Sequence, residues 1–239
     1  MPRKWTAAQV EELGYASPSV RSLILKVDQE TPFDFEPGQF VTFDLDIGEK
    51  RLERWRSYSI ANPPNTKNKL EFIISKIEGG KASDYFFDKL QLSDTLQMKG
   101  PQGTFTLPQN LDQEIIMVCT GTGVAPFKSM IEHVFENKIP HKAIHLIFGT
   151  RHKEGILYHD YFKQLAESES SFKYSVALSR ESYDGFQGYV HEVYTRHYAQ
   201  IADNRLFMLC GWQNMIDEAI ERLNGLGYGK DKLVYELYG

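Results

Sequence analysis

The chain has 239 residues, of which 41% are hydrophobic and 25% charged; these proportions exclude disordered, collagen-like and coiled-coil proteins and leave room for two ordinary domains. A formal net charge of −5 and a pI near 5.8 argue against a nucleic-acid-binding surface as the main business, while leaving local basic patches open. With a mean hydropathy of −0.42, no apolar run approaches the ~20 residues that cross a bilayer, and Met1-Pro2-Arg3-Lys4-Trp5-Thr6 leads into no signal-like apolar stretch. Two cysteines, Cys119 and Cys210, are too few for a structural zinc site or an iron–sulfur cluster. They read instead as thiols of a reduced, cytoplasmic compartment. His141 and His145 are four apart but lead into a strand-like run, where that spacing separates side chains, so no metal is expected.

In chain order, the region from Ala8 to about Lys99 reads as short strands separated by turns. Val20–Val27, Gln39–Leu45, Arg56–Ile60 and Leu70–Ile77 are rich in β-branched and aromatic residues. Glu36-Pro37-Gly38, Ile47-Gly48 and Asn62-Pro63-Pro64-Asn65 punctuate them. Gly79-Gly80-Lys81-Ala82-Ser83 leads into one helix, Asp84–Leu90, whose apolar face is Tyr85, Phe86, Phe87 and Leu90. Many strands and a single helix predict a small antiparallel β-barrel. The aperiodic stretch Pro108–Gln113 marks a boundary, giving domains of 1–109 and 110–239.

Beyond that boundary the pattern alternates. Ile115–Cys119 is a continuous apolar run, as in a strand buried on both faces. Pro126 suits the first turn of a helix carrying Phe127, Met130, Ile131, Val134 and Phe135. Strand Ala143–Phe148, helix Tyr158–Ala166, strand Tyr174–Leu178, helix Val190–His197, strand Leu206–Leu209, helix Met215–Leu226 and strand Leu233–Leu237 follow. Such alternation predicts an α/β doubly wound parallel sheet with right-handed crossovers.

Ligands of such sheets bind beyond the carboxyl ends of the strands. The first strand runs into Thr120-Gly121-Thr122-Gly123-Val124-Ala125-Pro126, where glycines allow close approach to a pyrophosphate and a helix N-terminus offers free N–H groups. As a dinucleotide fingerprint it lacks the third glycine. The next strands end in Phe148-Gly149-Thr150-Arg151, Leu178-Ser179-Arg180 and Cys210-Gly211-Trp212. A guanidinium beside a hydroxyl, as at Ser179-Arg180, suits an extra phosphate.

Taken together, these motifs resemble the ferredoxin/flavodoxin–NADP⁺ reductase family, a flavin barrel followed by an NADP domain. The best anchor is Arg56-Ser57-Tyr58-Ser59, which matches the family's Arg-x-Tyr-Ser flavin motif. The resemblance implies that Arg56 pairs with the FAD pyrophosphate, Tyr58 packs on the isoalloxazine and Ser59 bonds near flavin N5, with Ser57 and Ile74 among the contacts. Gly80, Lys81, Ala82 and Ser83 match a turn that cradles the same pyrophosphate, and Gly100-Pro101-Gln102-Gly103 matches a turn closing the barrel. Gly121, Thr122, Gly123, Val124 and Pro126 match the nicotinamide-nucleotide turn, in which proline stands in place of the third glycine. Thr150 and Arg151 are expected at the nucleotide, and Ser179 and Arg180 resemble the pair for the 2′-phosphate, favouring NADPH over NADH. Cys210, Gly211 and Met215 match a Cys-Gly-x-x-x-Met segment whose sulfur lies beside the nicotinamide. Glu236 and Tyr238 stand in the register of a terminal Glu-x-Tyr, followed here by Gly239.

The implied enzyme moves a hydride between NADPH and FAD, with Ser59, Cys210, Glu236 and Tyr238 as catalytic residues and Glu236 relaying a proton. No ferredoxin-like Cys spacing is present, so electrons are expected to pass to a separate ferredoxin or flavodoxin, steered by Arg51, Arg54 and Arg56. No nucleic acid or membrane insertion is expected, and the chain is expected to be a monomer. Two alternatives stay open: an oxygenase reductase component or NAD(P)H–flavin reductase, and a non-catalytic nucleotide or redox sensor on the same fold.

Overall fold

Apolar residues that alternate along strands bury one face of a sheet. In the computed structural model, which describes residues 4–238, the first part of the chain uses this pattern to build six antiparallel strands. These are β1 (Thr6–Ser17), β2 (Val20–Val27), β3 (Phe40–Asp44), β4 (Trp55–Ser59), β5 (Lys69–Ser75) and β6 (Thr95–Gln102), in the order β4-β3-β6-β1-β2-β5. The Ala61 N–H donates to the Glu71 carbonyl at 2.8 Å, and Asn62 bonds Lys69 and Glu71. These bonds bring the exit of β4 onto β5 and close the barrel. Leu23, Leu25, Val41, Phe43, Phe72 and Met98 fill it.

Two strands of this sheet have no counterpart in the sequence-predicted elements. In β1 the ladder with β2 slips between Val10 and Glu12 and again between Tyr15 and Ser17, which breaks the period-two signal. β6 runs through Gly100-Pro101, read from sequence as part of a closing turn; a register shift against β3 between Phe40 and Thr42 accommodates the proline, which has no N–H to give a ladder. A short helix, α1 (Arg51–Arg54), precedes β4, and α2 (Lys81–Asp84) continues into a wider turn over Tyr85–Lys89. Its start is earlier than the expected Asp84 because Gly80 serves as the N-cap.

The chain divides into two compact units: one runs to Leu107 and takes in Ala125–Asn137, the other comprises Pro108–Val124 and the chain from Lys138 onward. Against the expected 1–109 and 110–239, the boundary falls two residues earlier and the body of α3 (Val124–Glu136) joins the first unit. Its Lys128 ammonium donates to Glu71 at 3.0 Å and Glu132 at 2.8 Å. The Ser129 hydroxyl donates to the Asn62 carbonyl at 2.7 Å, and Phe127 packs on Phe105.

The second unit holds β7 (Glu114–Thr120), β8 (Ala143–Thr150), β9 (Phe172–Leu178), β10 (Phe186–Gln187), β11 (Arg205–Trp212) and β12 (Leu233–Tyr238), ordered β10-β9-β8-β7-β11-β12 and parallel throughout. Around it are α4 (His159–Ser168), α5 (Val190–Tyr198) and α6 (Gln213–Gly225). Ile116, Val118 and Ile147 pack one face against Val193 and Tyr194 of α5 and Ile216 and Leu223 of α6. The chain winds outward from β7 to β10, then returns to place β11 on the other side of β7. The order therefore switches between β7 and β11, where a doubly wound sheet opens its ligand crevice.

Candidate cofactor and nucleotide sites

In the barrel unit, the Arg56 guanidinium donates to the carbonyls of Leu52 at 3.0 Å and Trp55 at 2.8 Å, so α1 holds it in place. The Tyr58 ring meets Phe86 edge-on at 5.3 Å and Phe43 at 6.0 Å. Burial pushes its hydroxyl up to about 12 against the opposing pull of Arg56. Ser57 is exposed and shares a 2.9 Å hydrogen bond with Thr42, while Ser59 is buried. Gly79 is left-handed, at φ +68°, and an added Cβ would meet nothing within 4 Å. Open space therefore lies beside the start of α2, whose first-turn N–H groups have no helical acceptor. Arg56, Tyr58 and this turn fit a planar, pyrophosphate-bearing flavin.

Three of the residues expected there are buried within the protein. The Ser83 hydroxyl donates to the Ile77 carbonyl at 2.7 Å and accepts from the Ile77 N–H at 3.0 Å, so it staples the turn from inside. Ala82 is buried beneath the same turn, and Ile74 is 2% exposed within the barrel core. Lys81 is exposed and 4.0 Å from Glu53. The Ser83 hydroxyl is thus engaged within the turn itself.

In the nucleotide unit, β7 ends at Thr120 and a tight turn, Gly121–Gly123, opens α3. Gly121 is left-handed, at φ +53°, with open space at its Cβ position. Gly123 is pressed against β11: an added Cβ would lie 2.9 Å from the Cys210 carbonyl carbon and closer still to its oxygen. A Cβ on Gly211 would come within 2.7 Å of the Met215 methyl and the Thr120 hydroxyl. The glycines thus let the two strand ends meet at the crossover. Val124 and Pro126, which follow the turn, are buried. The Thr120 hydroxyl, not singled out from sequence, is buried there without a hydrogen-bond partner. An orphaned hydroxyl beside a glycine-lined opening suits a ligand's polar group; Thr120 is adjacent to the motif, which is the signal that could have found it.

Cys210, Glu236 and Tyr238 come together because β12 runs parallel to β11, pairing Cys210 with Glu236 and Trp212 with Tyr238. Cys119 lies beside Cys210 on β7. Burial raises the Cys210 thiol well above its usual range, Glu236 and Cys119 add to this, and a hydrogen bond with Tyr238 opposes it. The thiol is therefore protonated at neutral pH. Gly239 lies outside the described residues. Further along the sheet, the Ser179 N–H donates to the Thr150 carbonyl and the Arg180 N–H to the Arg151 carbonyl, both at 3.0 Å. These bonds carry β8 and β9 past their ladder and set exposed Arg151 and Arg180 at neighbouring strand ends. Beside them lies an open cleft of 620 Å³ lined by His152, Lys153, Glu154 and Glu181.

The expected steering arginines separate. Arg54 is neutralised by Asp44 at 2.7 Å and Arg56 is turned to carbonyls. Arg51 stacks over Trp55 at 4.8 Å, Lys99 approaches the same ring at 5.8 Å, and Trp5 meets it at 5.1 Å. Among the described residues no group of three or more His, Cys, Asp or Glu could hold a metal, and no helix is long and apolar enough to cross a membrane.

Residues 7–107 match the oxidoreductase FAD-binding domain and residues 117–221 the oxidoreductase NAD-binding domain. The chain is 31% identical over 220 residues to the phenol hydroxylase P5 protein of Acinetobacter pittii, covering 90% of this chain and 60% of that protein. It spans 58 to 63% of the length of the first three curated relatives it matches. It is also 31% identical over 232 residues to ferredoxin–NADP reductase B of Sorangium cellulosum, covering 93% of both. In fold it is similar to a ferredoxin NADP⁺ reductase from Neisseria gonorrhoeae with bound FAD and NADP, at a TM-score of 0.85, 23% identity and 98% coverage of each chain. With an FAD-binding barrel and a nucleotide-binding sheet in this order, and a reductase matched along nearly its whole length, the chain belongs to the ferredoxin–NADP reductase-like family of flavoprotein oxidoreductases.

Proposed function

We propose that the chain is an FAD-dependent reductase that takes hydride from NADPH and passes electrons to a separate protein carrier. The observation that supports this most directly is the crossover between β7 and β11, where the Gly121–Gly123 turn, Gly211 and the orphaned Thr120 hydroxyl leave room for a nicotinamide nucleotide. When bound, the flavin supplies the chemistry, accepting two electrons as a hydride and releasing them singly. The protein's part is binding and orientation. Arg56 offers a fixed cation to a pyrophosphate and Tyr58 a half-buried ring plane; Cys210 stays a neutral, compact group at the nucleotide; Glu236, its register partner on β12, holds or passes a proton. Arg180 is assigned to the 2′-phosphate of NADPH, with Ser179 and Arg151 beside it.

For the acceptor, a ferredoxin or flavodoxin is the first reading. The Trp5–Trp55 pair with Arg51 and Lys99, flanked by Leu52 at 82% exposure, offers a cationic, aromatic surface of the kind that suits an acidic partner. The similarity to the phenol hydroxylase P5 protein supports a second reading, an oxygenase component as the acceptor. Both cysteines are free thiols, which suits a reducing compartment such as the cytoplasm. The test is anaerobic mixing of the FAD-loaded protein with NADPH or NADH, followed by each carrier. Rapid bleaching by NADPH and reoxidation by a ferredoxin or flavodoxin are expected. A yellow protein that neither nucleotide bleaches would leave a nucleotide or redox sensor as the better account.

A further inference from the structure

Past the last rungs of β8 and β9, the Glu181 carboxylate reaches back to the opposite strand end. It accepts the Lys153 N–H at 2.7 Å, at the head of the tight turn Lys153–Gly155. It also lies 3.8 Å from His152 Nδ1. Held by a main-chain donor, the carboxylate cannot swing away without breaking that bond. Its side chain is 42% exposed and lines the 620 Å³ cleft with His152, Lys153 and Glu154. Arg180, the next residue back along the chain, is exposed at the same strand end.

We infer that Glu181 is a specificity-determining residue that opposes Arg180 in the choice between NADPH and NADH. This rests on the reading that the Ser179–Arg180 end receives the 2′-substituent of the nucleotide. A ribose 2′-hydroxyl can donate to a fixed carboxylate, whereas a 2′-phosphate meets it as a like charge. Arg180 pulls the phosphate in and Glu181 pushes it back, so the chain discriminates between the two nucleotides less than a Ser-Arg pair alone would.

The experiment measures binding of 2′,5′-ADP and 5′-AMP by calorimetry to the FAD-loaded protein and its variants, a readout independent of turnover. Glu181→Gln keeps an oxygen for the Lys153 N–H while removing the charge. It should tighten 2′,5′-ADP about ten-fold, the size of one partly screened like-charge contact, and weaken 5′-AMP several-fold, because its 2′-hydroxyl loses a charged acceptor. The gain should shrink as salt is raised, and the KM ratio of NADPH to NADH should fall in parallel. If Arg180→Ala weakens 2′,5′-ADP but Glu181→Gln changes nothing, the role of Glu181 is overturned while the phosphate site stands. If Arg180→Ala leaves 2′,5′-ADP binding unchanged, the phosphate site itself is wrong and the inference falls with it.

Discussion

Acid should destabilise this protein through its buried His145. His145 on β8 is 2% exposed, with Nδ1 2.7 Å from the Tyr198 hydroxyl and Nε2 2.9 Å from the Ser175 hydroxyl. Burial, helped by His197 and Lys173, brings its pKa from 6.5 down to about 3. Between those values the unfolded chain binds a proton that the folded chain refuses. Stability from this residue is therefore complete above pH 6.5 and is lost as pH falls toward 3. At ~1.4 kcal/mol per unit, the whole window is worth on the order of 5 kcal/mol, and about 2 kcal/mol of it is gone by pH 5. Urea unfolding of the wild type and His145→Gln at pH 7, 6 and 5 isolates the contribution, because every other titrating group, buried His191 included, is common to both chains. The variant should be less stable at pH 7, and its deficit should shrink by about 2 kcal/mol on going to pH 5. A deficit that stays constant across that range would refute the argument.

Gly123→Ala should cost about 1–3 kcal/mol by forcing the turn off the Cys210 carbonyl; melting temperature and 5′-AMP affinity should fall together, and retention of both would show that the turn has slack. Lys128→Met leaves Glu71 and Glu132 facing each other without their shared cation, which should cost about 3–5 kcal/mol. Burial already raises the Glu132 carboxyl, and Lys128 opposes the rise. The variant's loss should therefore be smaller at low pH, where Glu132 is protonated, and adding Glu132→Gln should recover part of it in urea unfolding at pH 7. Both cysteines are buried, with thiols raised well above the usual range by burial. Iodoacetamide should leave both unmodified in the native protein at pH 7 and label both in urea; fast native labelling of Cys210 would contradict its neutral role.

What could be read from the sequence was whatever its residues express locally. The runs Ile115–Cys119 and Ala143–Phe148 carry their burial on both faces in their composition, and the turn Gly121–Gly123 carries its close approach in its glycines. β1 escaped because two bulges shift its register, so no single alternation runs along it. β6 escaped because Gly100-Pro101 has the letters of a turn, although a bulge against β3 lets the strand pass through it. The grouping of α3 with the barrel was out of reach for a different reason. It depends on Lys128 meeting Glu71 and Ser129 meeting Asn62, across 57 and 67 residues of chain, and the apolar face of the helix says nothing about such partners.

The same distinction separates a motif from the chemistry it supports. Arg-Ser-Tyr-Ser and Gly-Thr-Gly record which residue types are present, but a side chain's use depends on what already holds it. Ser83 has the letters of a phosphate ligand, yet both its donor and its acceptor are taken by Ile77. Arg54 has the charge to steer a partner, yet Asp44 has claimed it. Thr120 carries no distinction beyond its place next to the motif, yet its buried hydroxyl has nothing in the protein to bond. A buried polar group left without a partner costs about 1–3 kcal/mol, and that cost is removed when a ligand bonds it. At Thr120 the unsatisfied hydroxyl sits beside the glycine-lined turn that the nucleotide motif predicts. Thr120→Val should therefore weaken binding of the nicotinamide end of NADP⁺ by several-fold without lowering the melting temperature. An unchanged NADP⁺ affinity, with 2′,5′-ADP as the control lacking nicotinamide, would show that the hydroxyl is merely buried.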